Sequence, residues 1–365
     1  MREPLKPQLR DLRGLPGVRA FLAERLELDP ATQLWDVVAD VTRGCNLSCA
    51  MCLTNDLTPK ALATPDVVQR IQTEVLPHAS DLAIGCRAEP LLHPDLPEIL
   101  AGLRAAIAQQ EAKPFLIILT SGTLLTAPLA ARLADCGLDM VLFSIETTDP
   151  NTYAQLRRGG TWPVTRAGIE HLRTAPTARR PKLGVQTLPS RQTLTQLPKL
   201  MADLAEMGVG VVHLPQLIPD HPGDVANALS LQGAAAETTR VALAGVVAAG
   251  RARGLEVGAP EPLQAPVTDD LYPLLADNGF WDEAVAVRDR PAVCIAPWSR
   301  VRIDHEGNVY PCHRTLSTGD AWGNLKSASF LSLVNSDRAI AMRRALLAGR
   351  APNGSCRRCP FGPRG

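Results

Sequence analysis

Val41-Thr42-Arg43-Gly44-Cys45-Asn46-Leu47-Ser48-Cys49-Ala50-Met51-Cys52 follows directly on an apolar stretch. The run holds three cysteines, Cys45, Cys49 and Cys52, at C-x3-C-x2-C spacing. Three thiolates on one short loop can hold three corners of an iron–sulfur cube and leave the fourth iron without a protein ligand. An open metal position is where a bound molecule meets the metal. The competing reading is zinc. Structural zinc takes four ligands, commonly from C-x2-4-C pairs, and no fourth Cys or His lies near this triad in the sequence.

Outward from that loop, residues 36 to 215 alternate short apolar strands with segments of helical periodicity. Strands are expected at 36–41, 81–85, 115–120, 140–145, 182–187 and 210–214. Helices are expected at 64–76, 96–108, 125–136, 164–173 and 194–207. Six β/α units in succession argue an α/β protein with a parallel sheet and helical crossovers. Residues 1–35 are too few for a domain and read as a lead-in, with a helix at 18–28. Residues 216–290 are Ala- and Pro-rich, with a helix at 234–249, and read as a bridging helical segment. Residues 291–365 form a second, smaller module.

Composition narrows the partners. Lys and Arg number 38 against 37 Asp and Glu, and no basic stripe is interleaved with aromatics, so no nucleic-acid partner is expected. No segment is long and apolar enough to span a bilayer. The best candidate, Val241 to Ala249, is short and flanked by Arg240 and Arg251. The first residues carry no apolar signal run. A cytoplasmic protein without a membrane partner is therefore expected, in which nine cysteines suggest metal binding rather than disulfides.

Four of those cysteines, Cys294, Cys312, Cys356 and Cys359, fall in the C-terminal module. Cys294-Ile295-Ala296-Pro297-Trp298 leads into β-rich runs on either side of Glu306-Gly307-Asn308, which read as a hairpin with Gly307 at positive φ. Trp322-Gly323-Asn324-Leu325 closes a second turn, and a helix at 340–347 precedes Cys356-x2-Cys359. Four thiolates make a closed site. On the pattern alone, zinc and an iron–sulfur cluster fit equally.

The chain resembles the radical S-adenosylmethionine (SAM) superfamily, first in its C-x3-C-x2-C loop. That resemblance implies a partial (β/α)6 TIM-like barrel. It implies a [4Fe–4S] cluster on Cys45, Cys49 and Cys52 whose open iron is chelated by SAM. Cleavage of SAM then gives a 5'-deoxyadenosyl radical that takes hydrogen from a substrate. Ile84-Gly85-Cys86-Arg87-Ala88-Glu89-Pro90-Leu91-Leu92-His93-Pro94 resembles the family's G-G-E-P-L-L-H-P stretch, with Glu89 as the acid that receives the SAM ammonium. Here Arg87 and Ala88 replace the glycines before the acid. Thr120-Ser121-Gly122-Thr123-Leu124-Leu125 resembles T-N-G-x-L-L, with the Ser121 hydroxyl in place of Asn; a plain helix N-cap explains it equally well. Phe143-Ser144-Ile145-Glu146 resembles an S-I-D stretch, placing Ser144 towards SAM and Glu146 towards the substrate. The run from Tyr153 to Arg157-Arg158-Gly159-Gly160 also fits the family. Met51 stands where the family places an aromatic residue against the adenine, a role an adaptable apolar side chain can fill. Gln186, and His213 or Gln216, are pocket residues by position.

The C-terminal pattern resembles the SPASM/twitch modules appended to such cores. Its four cysteines imply one second, auxiliary [4Fe–4S] cluster, which breaks the tie with zinc and gives a substrate radical an electron acceptor. Of the two remaining cysteines, Cys136 reads as a small buried apolar residue. Cys86 lies at the mouth of the second strand. It is either a loop residue or, as in some family epimerases, a hydrogen-atom donor.

The expected function is a radical SAM oxidoreductase acting on a small-molecule, sugar- or cyclitol-like substrate, with oxidation or epimerisation as outcome. A reductase or flavodoxin-type protein would supply electrons. The stretch before the first strand is shorter than the winged-helix domain that many peptide maturases carry, which favours a small molecule over the alternative, maturation of a ribosomally made peptide or protein. A non-catalytic metal-binding scaffold is the third reading.

Overall fold

The computed structural model describes residues 3–4, 14–31, 33–52, 60–215, 217, 228–231, 236–258, 294–315 and 319–359. Gln216 lies outside the described residues, as does most of the expected bridging segment. Seven parallel strands form the core: β1 (Gln33–Ala39), β2 (Ala79–Ile84), β3 (Phe115–Thr120), β4 (Met140–Ser144), β5 (Lys182–Gln186), β6 (Val211–His213) and β7 (Glu256–Gly258). They lie side by side in chain order. β8 (Arg300–Ile303) joins the other side of β1, also in parallel, and β9 (Asn308–Tyr310) and β10 (Gly323–Asn324) continue antiparallel. The C-terminal hairpin is therefore part of the same sheet as the core. Glu3–Pro4 adds a two-residue parallel ladder on β1.

Burial along the strands explains the architecture. In β3, residues of one parity are buried while Phe115, Ile117 and Leu119 are only partly so. One face packs on helices and the other turns to an open lumen. The side-chain parity carries across the register: Ser144 pairs Gln186, and Gln186 pairs His213. These three stand in one row at the C-terminal mouth, on the side where barrel sites form.

Strand 115–120 and helix 96–108 lie where the sequence puts them. The expected helix 64–76 breaks into an α-helix at Pro65–Arg70, a wider turn at Ile71–Val75 and a tight turn at Leu76–His78. Pro77 denies the last turn a regular hydrogen bond. Helix Pro150–Leu156 is too short to show periodicity. It is fixed by Asp149, which accepts a hydrogen bond from Thr152 N at 2.8 Å. The helix expected at 234–249 is found at Ala236–Arg251. In the C-terminal module the hairpin turns at Gly307, whose φ of 89° matches the expectation.

The lead-in differs from its expectation. Its helix is Gly14–Ala23, not 18–28. Leu28 is drawn out of helical geometry by Asn335, which accepts from Leu28 N (2.7 Å) and donates to Leu28 O (2.9 Å). The lead-in thus docks on the C-terminal module. Arg343, fully buried, completes that joint: its guanidinium donates to Pro297 O (3.0 Å), Leu26 O (2.8 Å) and Val334 O (2.7 Å) and lies 5.4 Å from the Trp322 ring. One hydrophobic core runs through Leu22 and Leu28, the barrel strands, Trp298, Phe330 and Leu346. Replacing Arg343 with Ala strands three carbonyls in that core. We expect a loss of roughly 2–5 kcal/mol, seen as a lower unfolding midpoint in denaturant, with the lead-in becoming protease-sensitive.

Candidate active site

The cysteine loop leaves the C-terminal end of β1 and is held from three sides. Asn46 donates to Thr123 Oγ1 at 2.8 Å. Ser48 N and Ala50 N donate to Arg158 O and Leu156 O, each at 2.8 Å. Leu47, Cys49 and Met51 pack with Leu156, Leu217 and Leu229 in a small apolar cluster. Met51 is buried there as part of the loop's own packing. The three thiols share one neighbourhood. Burial pushes Cys45 up to about 11, and Glu89 and the other two thiols add to the rise against the opposing Leu47 N–H. Burial likewise raises Cys49 against the opposing pull of Arg157. Leu47 N–H points at Cys45 Sγ (3.4 Å) and the Arg157 guanidinium at Cys49 Sγ (3.7 Å). Crowded thiols with N–H donors aimed at sulfur fit a cationic iron–sulfur cluster. Among the described residues no three Cys, His, Asp or Glu side chains are grouped to hold a single metal ion.

Glu89 is the hub of the second and third loops. Its side chain is 2% exposed. Oε1 accepts from Thr120 Oγ1 (2.6 Å) and Leu91 N (3.1 Å); Oε2 accepts from Ser121 Oγ (2.7 Å) and Ser121 N (2.9 Å). Glu89 N donates to Gly44 O at 3.0 Å. The acid thus ties the cysteine loop to the Ser121 loop, and an arriving ammonium would share a carboxylate that already has four donors. Arg87 and Ala88 do not distort this loop. The positive φ falls on Gly85 (87°), where a Cβ would meet Leu119 O at 2.9 Å.

Glu146, expected on the substrate side, is 1% exposed and fully engaged. Its two oxygens take Arg157 Nε (2.7 Å) and Nη2 (2.5 Å) in a two-pronged fork. Arg157 is the functional residue that the sequence reading left without a role. Its signal was its place, one residue past the helix that carries Leu156, in a run that also holds the cysteine loop's backbone.

Cys86 keeps accessible surface, yet protein surrounds it, and burial raises its thiol pKa, with Arg302 the largest opposing charge. It stands two residues past the C-terminal end of β2. Asp40 supports this loop by accepting from Cys86 N (2.8 Å) and Arg87 N (3.2 Å), and its own pKa is raised by burial. In the C-terminal module, His313 is depressed to about 3 by burial and by Arg302, Arg300, Arg314 and Arg87. Cys136 is away from this site. It is buried, and its thiol donates to Pro97 O and Arg132 O at 3.1 Å.

Of the C-terminal cysteines, Cys312 directly precedes His313, and Cys312 and Cys359 are neighbours of Cys356. Asn353 caps a short helix, accepting from Cys356 N at 2.8 Å, and so presents Cys356 and Cys359. Burial, with Cys312 and Cys359 as neighbours, pushes Cys356 up to about 12. Cys294 is partly buried against the main core, just before Trp298.

Residues 40–178 match the Radical SAM superfamily, and residues 294–360 match SPASM, an iron–sulfur cluster-binding domain. The chain is a radical SAM enzyme with a C-terminal SPASM domain. Its cofactors are SAM, a [4Fe–4S] cluster in the radical SAM domain, and iron–sulfur in the SPASM domain. Among curated proteins it is similar to an AdoMet-dependent heme synthase of Methanosarcina barkeri, 29% identical over 52% of this chain and 53% of that protein. It is also similar to the tungsten-containing aldehyde ferredoxin oxidoreductase cofactor-modifying protein of Pyrococcus furiosus, 24% identical over 76% of this chain and 71% of that one. The chain thus spans about half the length of the heme synthase. Among solved structures, Streptococcus suis SuiB bound to the precursor peptide SuiA aligns with TM-score 0.64 at 14% identity, over 90% of this chain and 70% of that one. The anSMEcpe protein with AdoMet and the Cp18Cys peptide aligns at 0.64 and 15%, over 90% and 88%. These likenesses establish the partial TIM-barrel fold. Among the described residues no helix is long and apolar enough to cross a membrane.

Arg157→Leu would leave the Glu146 carboxylate buried without its partner, a cost of roughly 3–5 kcal/mol. The radical SAM enzyme carrying that change should lose iron from the Cys45 loop while keeping its SPASM iron. Unaltered total iron per chain, with an unaltered unfolding midpoint, would count against this role for the fork.

Proposed function

We propose that this enzyme oxidises a small-molecule substrate at a carbon presented at the C-terminal mouth of the barrel strands, where Cys86 stands. Cys45, Cys49 and Cys52 hold the core cluster and Cys294, Cys312, Cys356 and Cys359 the auxiliary one. The observation that carries the proposal is the pairing of β8 with β1, which joins the C-terminal hairpin that leads to Cys312 to the strand that leads into the Cys45 loop. When bound, SAM and the core cluster supply the radical that removes a hydrogen atom. The chain's own residues do the rest. Glu89 fixes two loops through Ser121, and Ser144 starts a polar row on β4. Gln186 and His213 extend the polar row. Glu146 holds Arg157 against Cys49. Met51 and its apolar neighbours shield the cysteine loop from water.

The small-molecule preference is supported by relatives named for heme synthesis and cofactor modification and by proteins from Methanococcus maripaludis named as probable GTP 3',8-cyclases, 30% identical over 49% of this chain. The peptide reading has SuiB and anSMEcpe behind it, at identities that speak for fold only. A reductase or flavodoxin-type protein is the proposed electron donor on the family's chemistry.

Two sets of ligands predict about eight irons per chain after anaerobic reconstitution. Changing Cys45, Cys49 and Cys52 to Ala should remove about half and abolish SAM cleavage under strong reductant. Stoichiometric zinc with no more than four irons would instead support a metal-binding scaffold.

Cys86 gives a second outcome. Its thiol is accessible and held protonated by burial, so it can return a hydrogen atom to a substrate radical. Turnover in deuterated water separates the two. Oxidation yields a product two electrons poorer with no solvent deuterium. Epimerisation places one deuterium at the reacting carbon, and Cys86→Ala removes it.

A further inference from the structure

The junction of β8 with β1 carries a cluster of positive charge that the proposed chemistry does not use. Arg300 and Arg302 alternate along β8 around Val301, so both guanidiniums leave the strand on the same face. Their partners in register are Asp36 and Val38 on β1. Asp36 serves both arginines: Oδ2 lies 3.1 Å from Arg300 Nε, and Oδ1 lies 3.7 Å from Arg302 Nη1. Arg87 enters from the loop before Glu89, and Arg314 from the stretch after Cys312. All four guanidiniums lie close enough to act on His313, the residue after Cys312.

Acids are few here. Asp40 has its carboxylate turned to backbone N–H groups. Asp304 is taken up by the hairpin turn, accepting from Glu306 N, Asn308 N and the Tyr310 hydroxyl. Arg302 is 8% exposed, and its Nε and Nη1 have no hydrogen-bond partner among the described residues; Asp36 is beyond hydrogen-bonding distance. A buried guanidinium with unmet donors costs stability unless an acceptor arrives. A planar fork of donors suits carboxylate and phosphate oxygens.

We propose that Arg302, with Arg87, Arg300 and Arg314, forms the binding site for an anionic group, carboxylate or phosphate, of the substrate. This rests on the small-molecule reading above and narrows it to an acid. Such a group, held by Arg302, places the rest of the molecule towards Cys86, on which Arg302, Arg87 and Arg300 also act. The site is assembled from both domains: β8 and the Cys312 stretch bring three arginines, and the radical SAM loop brings Arg87.

The test uses the anaerobically reconstituted full chain and calorimetric titration with inorganic phosphate and, separately, with citrate. Wild type should bind at least one probe. Arg302→Gln should weaken that binding tenfold or more, and Arg302→Lys by less, because charge survives without the fork. Arg314→Gln provides a second variant should Arg302→Gln fold poorly, judged by its iron content. Arg166→Gln, on an exposed helix position, is the charge-matched control and should bind as wild type does. Whichever probe binds identifies the carboxylate or phosphate chemistry. Binding should persist with saturating SAM present. Loss under SAM would assign the arginines to the SAM carboxylate and overturn the substrate proposal. So would the absence of binding to either probe in wild type, or equal affinities in wild type and both Gln variants. SAM cleavage by wild type is assayed in parallel; its failure would strike the radical SAM chemistry, whereas the titrations judge the arginine site alone.

Discussion

Four residues of main chain, Arg300 to Ile303, run parallel to Asp36 to Ala39, and the site depends on that pairing. It caps the free edge of β1 with a strand from the far end of the chain. It brings the SPASM hairpin into the core sheet, so the two cysteine sets belong to one rigid framework. It also fixes the face on which Arg300 and Arg302 emerge. A slip of one residue would turn both arginines away from the lumen and put Val301 and Ile303 in their place. The lead-in helix, Trp298 and Arg343 buttress this joint from behind.

Buried charge organises the mouth. Glu89 follows β2 and Glu146 follows β4, both nearly inaccessible, and each is compensated differently. Glu89 is met by hydroxyls and backbone N–H groups, which leaves a net negative charge beside the cysteine loop. Glu146 is met by a guanidinium, which neutralises it and points a third donor at Cys49. On β8, paired directly with β1, Arg300 and Arg302 reverse the sign. Arg87, two residues before Glu89, adds a further positive charge on the radical SAM side. Charge of both signs close together can orient an acidic substrate beside a cationic cofactor.

The sequence by itself determined the two cysteine sets, the alternation that builds a parallel sheet, and the positive-φ turn at Gly307. Those are local: spacing, period and turn chemistry are written within a few residues of one another. It also marked Glu89 and Ser121 as neighbours in function. It placed Glu146 towards the substrate, and gave Arg157, Arg300, Arg302 and Arg314 no role. Only the tertiary structure decided those. Whether a charged side chain is a free reagent or half of a buried pair depends on what lies across the barrel, and Arg302 meets Asp36 from 266 positions away in the chain. The lead-in helix moved for the same reason, because Asn335, far along the chain, holds Leu28 by both its backbone groups. Pairings between distant segments are set by packing and burial, which no local pattern records.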